Sequence, residues 1–357
     1  MKQALAAVYE GQPGELVLQQ LPIPRPGAGE VLVRVLGCTL CGSDLHSHEG
    51  RRRVPVPTVL GHEIVGEICE LGPQTGHLGR RVGERVTWAI VAHCGTCHFC
   101  RADLPQKCVR GVKYGHEAFR PGRELLGGLA EYCLLVPGTT VVPLPEELPL
   151  EVACPASCAT ATIAAAAEAA GALPGRACLV LGAGMLGLTA VAWARHHGAR
   201  EVVCVDVQPS RRERARSFGA TACLAPDQVA GWLADSGHPQ GFDIVFELAG
   251  QPVAFQAGWQ HVRTGGTLVL VGAVFPSAPV PLELEQVVRR QLTLRGVHNY
   301  APRHLEQAVA FLERTWREFP FASLVGPWVP LAQVPHAFEL GRRGESIRVG
   351  VAMPVRG

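Results

Sequence analysis

The sequence has no continuous apolar run of the roughly 18 residues that a membrane-spanning helix needs. Its first residues, MKQALAAVYEGQPGELVL, reach acidic and turn-forming residues too early for a secretory signal peptide. Repeats and low-complexity segments are also missing. The formal net charge is only +2, and no basic face with interleaved aromatic residues marks a nucleic-acid surface. We therefore predict a cytoplasmic protein that binds neither membranes nor nucleic acids.

The length and composition predict two folded domains. A chain of 357 residues exceeds what one hydrophobic core usually supports. Hydrophobic residues make up 47% of it, which is enough to bury sizeable cores. The 41 glycines and 28 prolines imply many turns, as in a loop-rich α/β or mixed protein rather than a coiled coil.

The hydrophobic periodicity changes along the chain. Up to about residue 155, short apolar runs such as EVLVRVLG, EIVGEICELG and RVTWAIV predict strands joined by turns. From about residue 160, predicted strands such as ACLVLGAG and EVVCVDV alternate with predicted helices such as MLGLTAVAWARHHG, which favours a parallel, doubly wound sheet. Beyond about residue 298, the helical segment PRHLEQAVAFLERTW precedes mixed β character, and we expect this tail to return to the first domain.

Four cysteines lie close together in HCGTCHFCRADLPQKC: Cys94, Cys97, Cys100 and Cys108. An odd total of 13 cysteines in a long chain without a secretion signal favours reduced thiols over disulfides. Four thiolates on one short loop suit tetrahedral zinc and leave that metal no position for a substrate. The loop therefore predicts a structural zinc site, with the chemistry elsewhere.

A second group of potential metal ligands lies upstream, in CTLCGSDLHSHEG and VLGHEIVGE. Cys41 and His62 are its candidate zinc ligands. A catalytic zinc typically has three protein ligands and one open position. Cys154 or Cys158, which precede the α/β region, can supply the third ligand.

The segment LGAGMLG predicts a dinucleotide-binding turn. It places Gly182, Gly184 and Gly187 directly after a predicted strand and at the start of a predicted helix. In this context the glycines allow a tight turn, close approach of a pyrophosphate and helix–strand packing. Asp206, at the end of the next strand, can hydrogen-bond an adenosine ribose and would repel a 2′-phosphate. The segment therefore predicts NAD as the cofactor.

Together, CGSDLH, GHEIVGE, the four-cysteine loop, GAGMLG and GESIRVGV resemble the zinc-dependent medium-chain alcohol dehydrogenases over nearly the full length. The resemblance implies an α/β protein with a GroES-like, mainly β catalytic domain made from residues 1–158 and 299–357. A Rossmann domain, residues 159–298, would be inserted between them. It further implies two zinc ions per chain, NAD, a small alcohol or aldehyde substrate, and a homodimer or homotetramer.

The resemblance also assigns roles around the catalytic zinc. Cys41, His62 and Cys158 correspond to its ligands, the Cys₂His set known for alcohol dehydrogenase. Glu63 corresponds to a carboxylate able to approach the metal. Many polyol and threonine dehydrogenases carry an acidic third ligand, so Cys158 is a departure from that part of the family.

Further roles follow from the same resemblance. Ser43 and His46 correspond to a proton relay, and Asp44 to the partner of the ligating histidine. Arg348 corresponds to a contact of the cofactor pyrophosphate. The other expected cofactor contacts are Thr162, Met185, Leu186, Arg211 and Val271.

A closer resemblance, carried by CPASCATATIAAA, LPQKC…KYGHE and GVHNYAPRHLEQAV, is to a subgroup proposed to act in phosphonate catabolism. It implies an anionic alcohol as substrate, for example a hydroxyalkyl phosphonate. The candidate anion-binding residues are Arg51, Arg52, Arg53, Lys113 and His116. Because successive residues of an extended segment point to opposite faces, the three arginines cannot all enter one pocket.

The alternative is a non-catalytic nucleotide-binding structural or sensor protein of the same fold. Such a relative would keep the Rossmann glycines and lose the catalytic ligands. This chain retains Cys41, His62, Ser43 and His46, which favours an enzyme.

Overall fold

The computed structural model describes residues 2–354. The chain forms two compact units. One contains the chain up to Cys158, Ala301–Trp316 and the residues from Phe321 onward, and the other contains Ala159–Tyr300 and Arg317–Pro320.

The part of the chain before Ala159 is mainly β. Its elements are β1 (Gln3–Tyr9), β2 (Val17–Pro22), β3 (Val31–Leu40), α1 (Gly42–His48), β4 (Thr58–Val59), β5 (Glu63–Leu71), β6 (Arg85–Trp88), β7 (Val91–Ala92), α2 (His98–Arg101), β8 (Val112–Lys113), β9 (Tyr132–Leu135), β10 (Val141–Pro143) and α3 (Leu150–Ala153).

In the next part of the chain, helices and strands alternate. Its elements are α4 (Ala159–Ala170), β11 (Ala177–Leu181), α5 (Met185–His196), β12 (Glu201–Val205), α6 (Pro209–Ser217), β13 (Ala222–Leu224), α7 (Val229–Asp235), β14 (Phe242–Glu247), α8 (Pro252–His261), β15 (Val262–Leu270), α9 (Leu284–Arg289) and β16 (Thr293–Gly296). The remaining elements are α10 (Pro302–Thr315), β17 (Val325–Pro330), α11 (Val334–Arg343) and β18 (Arg348–Ala352).

A seven-stranded sheet organises the first unit. Its strands run in the order β10-β6-β5-β3-β18-β17, and β9 also pairs with β3. The carboxyl-terminal strand β18 thus pairs with β3 from the amino-terminal part. Alternating apolar residues such as Val33, Val35 and Ile64 are fully buried in the core of this unit. The core therefore joins both ends of the chain, and it fixes the strand ends from which the candidate site is built.

The second unit contains a six-stranded sheet in the order β13-β12-β11-β14-β15-β16. All five strand pairings are parallel. Strand β11 is buried along its whole length, as expected of a strand covered on both faces. The doubly wound pattern that the sequence predicts is therefore present.

One local expectation was wrong. The run RVTWAIV, predicted as one strand, forms the two short strands β6 and β7. The chain leaves the sheet at Ala89, whose amide donates to the carbonyl of Thr140, and at Ile90, whose carbonyl accepts from the amide of Tyr114. These loop partners replace the neighbouring strand and end the ladder.

In the part of the chain that the structure describes, no single helix is both long and apolar enough to cross a membrane. One bent pair, Leu150–Ser157 followed by Ala159–Ala170, passes that test by length and composition. Most of its residues are buried within the fold.

Candidate active site

Cys41 lies between β3 and α1, where the backbone turns from strand to helix. Its amide donates to the Asp44 carboxylate at 2.9 Å, a bond that satisfies an otherwise unpaired amide at the helix start. Asp44 is almost completely buried, with 1% exposure. The short segment CGSD therefore fixes the directions of Cys41 and Ser43.

Asp44 also orients His62. Its Oδ1 atom lies 3.2 Å from His62 Nδ1 and accepts from the Gly61 amide at 3.2 Å. The opposite ring nitrogen, Nε2, lies 3.4 Å from Ser43 Oγ. Gly61 has a φ of +90°, and a Cβ there would lie 2.8 Å from Cys38 Sγ, so this turn requires glycine. The carboxylate thus leaves His62 Nε2 available for a metal.

The charge state of His62 depends on the same carboxylate. Burial lowers its pKa, but Asp44 and Cys41 outweigh burial and raise the pKa to about 10. Zinc binds only the neutral imidazole nitrogen, so binding must release this proton. Metal affinity at the site should therefore fall as the pH falls.

Cys158 completes a compact ligand cluster. Its Sγ lies 4.0 Å from Cys41 Sγ. One ligand atom from each of Cys41, His62, Glu63 and Cys158 lies within 4.8 Å of the others. Two sulfur ligands of one tetrahedral zinc are separated by about 3.8 Å, because each Zn–S bond is about 2.3 Å. The donor set and its spacing therefore fit zinc.

Cys154 lies outside this cluster. It is fully buried, and burial raises its thiol pKa. Between the two cysteines, the 3₁₀ turn Cys154–Ser157 places Ser157 Oγ 3.1 Å from the His62 carbonyl, to which it donates. This bond ties the segment that carries Cys158 to the segment that carries His62.

Glu63 has strong partners of its own. Both its oxygens accept from Arg348 Nε, at 2.9 and 3.1 Å, and Oε2 also accepts from Thr39 Oγ1 at 2.6 Å. Arg348 Nη2 donates to Cys41 Sγ at 3.5 Å. A buried carboxylate is stable only when it is paired and hydrogen-bonded, as here. Arg348 therefore neutralises Glu63 beside the metal cluster, and its expected pyrophosphate contact stays a prediction.

The two candidate relay residues lie on α1. Ser43 and His46 are three residues apart, which places them on neighbouring positions of the helix surface. His46 is half-buried. Burial and the nearby charge of Arg51 lower its pKa, so His46 is neutral at pH 7 and able to accept a proton.

The four cysteines of the predicted structural site also converge. Cys97 Sγ lies 3.4 Å from Cys100 Sγ and 3.9 Å from Cys108 Sγ, and Cys94 Sγ lies 3.9 Å from Cys100 Sγ. Backbone hydrogen bonding from Thr96 and a side-chain bond from Arg110 lower the pKa of Cys94 to about 4. All 13 cysteines are free thiols. Four thiols at these separations fit a closed tetrahedral zinc site.

The glycine-rich turn lies between β11 and α5. Gly182 has a φ of +99°, and a Cβ on Gly187 would lie 1.8 Å from the Gly182 carbonyl oxygen, so neither position accepts a side chain. Beside Gly184 the space is open. The amino-terminal amides of α5 are thus accessible to an anionic ligand such as a pyrophosphate.

Asp206 follows β12 and is mostly buried. Its carboxylate accepts from the amides of Ala183 and Gln208, both at 2.8 Å. Arg211 Nη1 lies 3.9 Å from Asp206 Oδ2, and Arg212 donates to the Asp206 carbonyl at 2.8 Å. Asp206 is therefore held beside the glycine-rich turn.

The other expected cofactor contacts lie in the same α/β unit. Met185 and Val271 are buried, and Leu186 and Thr162 are half-buried. The amide of Val271 donates to the Glu247 carbonyl at 3.0 Å. Their contacts with NAD stay predictions.

The candidate anion-binding residues have different surroundings. Arg51 is exposed and hydrogen-bonded to Glu49, and Arg53 is exposed. Arg52 and Lys113 are half-buried. His116 is buried, with its ring centroid 5.4 Å from that of His62. The three consecutive arginines thus do not share one environment.

Sequence reasoning missed two residues that support the site, Thr39 and Ser157. Thr39 lies opposite Glu63 in the β3–β5 pairing. A strand register of this kind leaves no signal in a single sequence, because both partners belong to separate segments. Ser157 adjoins Cys158, but only the fold shows that it bonds to His62.

Comparison with known proteins identifies the family to which the chain belongs. Residues 27–146 match the alcohol dehydrogenase GroES-like domain, and residues 186–314 match the zinc-binding dehydrogenase family. An L-threonine 3-dehydrogenase of Legionella pneumophila (strain Philadelphia 1) is 30% identical over 351 residues, which cover 95% of this chain and 96% of that protein.

Solved structures of alcohol dehydrogenases share the fold of this chain. An alcohol dehydrogenase from Thermotoga maritima superposes with a TM-score of 0.91 at 28% identity, covering 99% of this chain and 100% of that one. An Escherichia coli alcohol dehydrogenase in complex with NADH superposes with a TM-score of 0.84 at 25% identity, again covering 99% and 100%. The chain belongs to the zinc-dependent medium-chain alcohol dehydrogenase family and is a zinc-dependent, NAD-linked oxidoreductase.

Proposed function

We propose that Cys41, His62 and Cys158 hold a catalytic zinc at which a small alcohol is oxidised to an aldehyde or ketone. The main support for this proposal is that these three ligand atoms cluster next to the Ser43 hydroxyl. Three protein ligands leave a tetrahedral zinc one position for a substrate oxygen. The neighbouring Glu63 is already neutralised by Arg348.

Oxidation of the alcohol removes a hydride and a proton from it. Bound zinc supplies Lewis acidity, which lowers the pKa of the alcohol. Ser43 would accept the alcohol proton, and His46 on the same helix would release a proton to solvent. Bound NAD⁺ would supply the hydride acceptor, and the reverse reaction would reduce a carbonyl.

We infer a preference for NAD over NADP from Asp206. Its carboxylate is fixed by two backbone amides, so it cannot easily turn away from an incoming 2′-phosphate. Like charges repel, and the repulsion grows as they approach each other. The cytoplasmic location and the dimeric or tetrameric assembly stay predictions from the sequence.

For the substrate we propose a small alcohol that carries an anionic group, with a hydroxyalkyl phosphonate as the first candidate. The subgroup resemblance and the cations near the cluster support this class. L-Threonine is a second candidate, because curated relatives bear the name L-threonine 3-dehydrogenase and threonine carries a carboxylate. Cys158, in place of an acidic third ligand, separates this chain from many threonine dehydrogenases.

NADH absorbance with zinc-loaded protein tests the proposal. The substrates are 2-hydroxyethylphosphonate, L-threonine and ethanol, each with NAD⁺. Ser43→Ala should lower kcat by about 10²–10⁴-fold, the usual contribution of proton transfer, while zinc content stays the same. Protein that contains two zincs per chain but forms no NADH with any alcohol, and no NAD⁺ with the corresponding carbonyls, would support the non-catalytic alternative.

A further inference from the structure

Two cations near the zinc ligands lack an acidic partner. Lys113 ends the short strand β8, paired with Val91 of β7. Its neighbour Glu117 directs a carboxylate oxygen at the Lys113 backbone amide, 2.9 Å away. Within residues 2–354, no ion pair within 4.0 Å involves the Lys113 ammonium or the Arg52 guanidinium.

Backbone contacts place both residues beside the segments of the site: the Arg52 amide donates to the His46 carbonyl at 3.0 Å, and the His116 amide donates to the Lys113 carbonyl at 3.0 Å. Burial and then the charge of Arg52 lower the pKa of Lys113 to about 8, whereas the thiols of Cys158 and Cys41 act in the opposite direction. His116 responds to both cations, and its ring packs 5.4 Å from the ring of His62. Lys113 and Arg52 therefore act on the same region as the zinc ligands.

His116 adds no positive charge there. Its pKa is lowered well below the ordinary value, first by burial and then by the charges of His62, Lys113 and Arg52. Its Nδ1 lies 2.9 Å from the Tyr114 carbonyl and, as the protonated nitrogen, donates to it. The unprotonated Nε2 is then an acceptor, which cannot attract an anion.

The acidic groups around the cluster already have partners other than Lys113 and Arg52. Two thiolates neutralise a bound zinc ion, and Arg348 neutralises Glu63. The Asp44 carboxylate is buried and bonded to Cys41, Gly61 and His62. Lys113 and Arg52 bring two half-buried positive charges without an ion pair in the described residues, since the Glu117 carboxylate is bonded to the Lys113 backbone amide. Half-buried charges of this kind are unfavourable unless something pairs with them.

We propose that Lys113 and Arg52 bind an oxyanion on the substrate, a phosphonate or a carboxylate, and so set the specificity of the zinc site. This inference rests on the proposed alcohol oxidation. Arg donates two parallel hydrogen bonds to an oxyanion, and Lys adds a point charge. Arg51 is committed to Glu49 and Arg53 is exposed, so neither belongs to this pair.

The kinetic test compares an anionic with an uncharged alcohol of equal carbon number. 2-Hydroxyethylphosphonate, glycolate and ethanol are assayed with zinc-loaded protein and NAD⁺. Lys113→Met and Arg52→Gln should each lower the ratio of anionic to ethanol kcat/KM by about 10–100-fold, mainly through KM, because a charge-assisted bond is lost. Lys113→Arg should restore much of the ratio, and the exposed control Arg53→Gln should leave it as in the wild type. The two acids distinguish phosphonate from carboxylate recognition.

Stability provides a second readout. Lys113→Met should raise Tm, because it removes a half-buried charge that has no partner in the free protein. A lysine that merely supports the fold would give a lower Tm. Loss of the anionic preference with a raised Tm is therefore the expected combination.

Several outcomes would overturn the anion site and leave the alcohol oxidation standing. They are equal wild-type kcat/KM for anionic and uncharged alcohols, or a variant ratio equal to that of the wild type. If no alcohol is oxidised, the proposed function fails separately. Calorimetric titration of the zinc- and NAD⁺-loaded protein with ethylphosphonate and propionate then decides: binding that Lys113→Met abolishes supports the anion site, and absence of binding by wild type refutes it.

Discussion

At the scale of the residue, Cys154 and Cys158 are four positions apart and have different neighbours. Cys158 lies 4.0 Å from Cys41 within the ligand cluster. Cys154 is fully buried and lies outside that cluster. The pKa of both thiols is raised, that of Cys158 by hydrogen bonding to Cys41 and by burial and that of Cys154 by burial, so position rather than pKa distinguishes them. The ligand role should therefore belong to Cys158.

Matched alanine variants test this assignment. Cys158→Ala should lose about one of the two zinc ions per chain. Its kcat should fall by more than about 100-fold, because several kcal/mol of Lewis-acid stabilisation of the transition state disappear. Cys154→Ala should keep both ions and lose only about 1 kcal/mol of stability, through a small cavity. Metal analysis and NADH formation measure the pair. Loss of zinc and activity by Cys154→Ala alone would move the ligand to that residue.

At the scale of the element, the turn between β11 and α5 and the end of β12 should act together in cofactor choice. Asp206 accepts from the Ala183 amide of that turn. Asp206→Asn keeps the size of the side chain and removes the charge that opposes a 2′-phosphate. We expect the NAD-to-NADP ratio of kcat/KM to fall by at least about tenfold, which corresponds to about 1.4 kcal/mol.

Arg211 provides a second test of cofactor choice at this turn. Arg211→Gln removes a cation 3.9 Å from Asp206 and should shift the ratio further toward NAD, since only Arg212 then remains to attract a 2′-phosphate. Comparable wild-type kcat/KM with both cofactors would contradict the assignment to Asp206.

The elements also show how far the sequence could be interpreted. The glycine-rich turn was predictable because strand, glycine spacing and helix are consecutive in the chain. The pair Glu63–Arg348 joins residues 285 positions apart, and its contact follows from the β3–β18 pairing, which periodicity does not encode. Lys113 was a candidate from the subgroup resemblance and from its position beyond the four-cysteine loop. Its half-burial and its lack of an acidic ion-pair partner within residues 2–354 depend on the pairing of β8 with β7, which only the structure shows.

At the scale of the whole molecule, the two cysteine-containing clusters should be separable. Cys94, Cys97, Cys100 and Cys108 come from one loop of 15 residues in sequence order, whereas the other cluster draws its ligands from distant segments. Two zinc ions per chain favour the enzyme, and one would favour a structural protein. The four-cysteine site should contribute stability without taking part in hydride transfer, because its four thiolates leave zinc no open position.

Cys100→Ala tests this separation. It should reduce zinc from two to about one per chain and lower Tm, or change the oligomeric state, because zinc binding to a loop with little apolar contact stabilises its folded form. The protein that stays folded should keep a measurable kcat, since the cluster of Cys41, His62 and Cys158 is untouched, and this contrasts with Cys158→Ala. Metal analysis, thermal unfolding and size-exclusion chromatography measure the three effects. Full zinc content and an unchanged Tm in Cys100→Ala would show that the four cysteines do not form a zinc site.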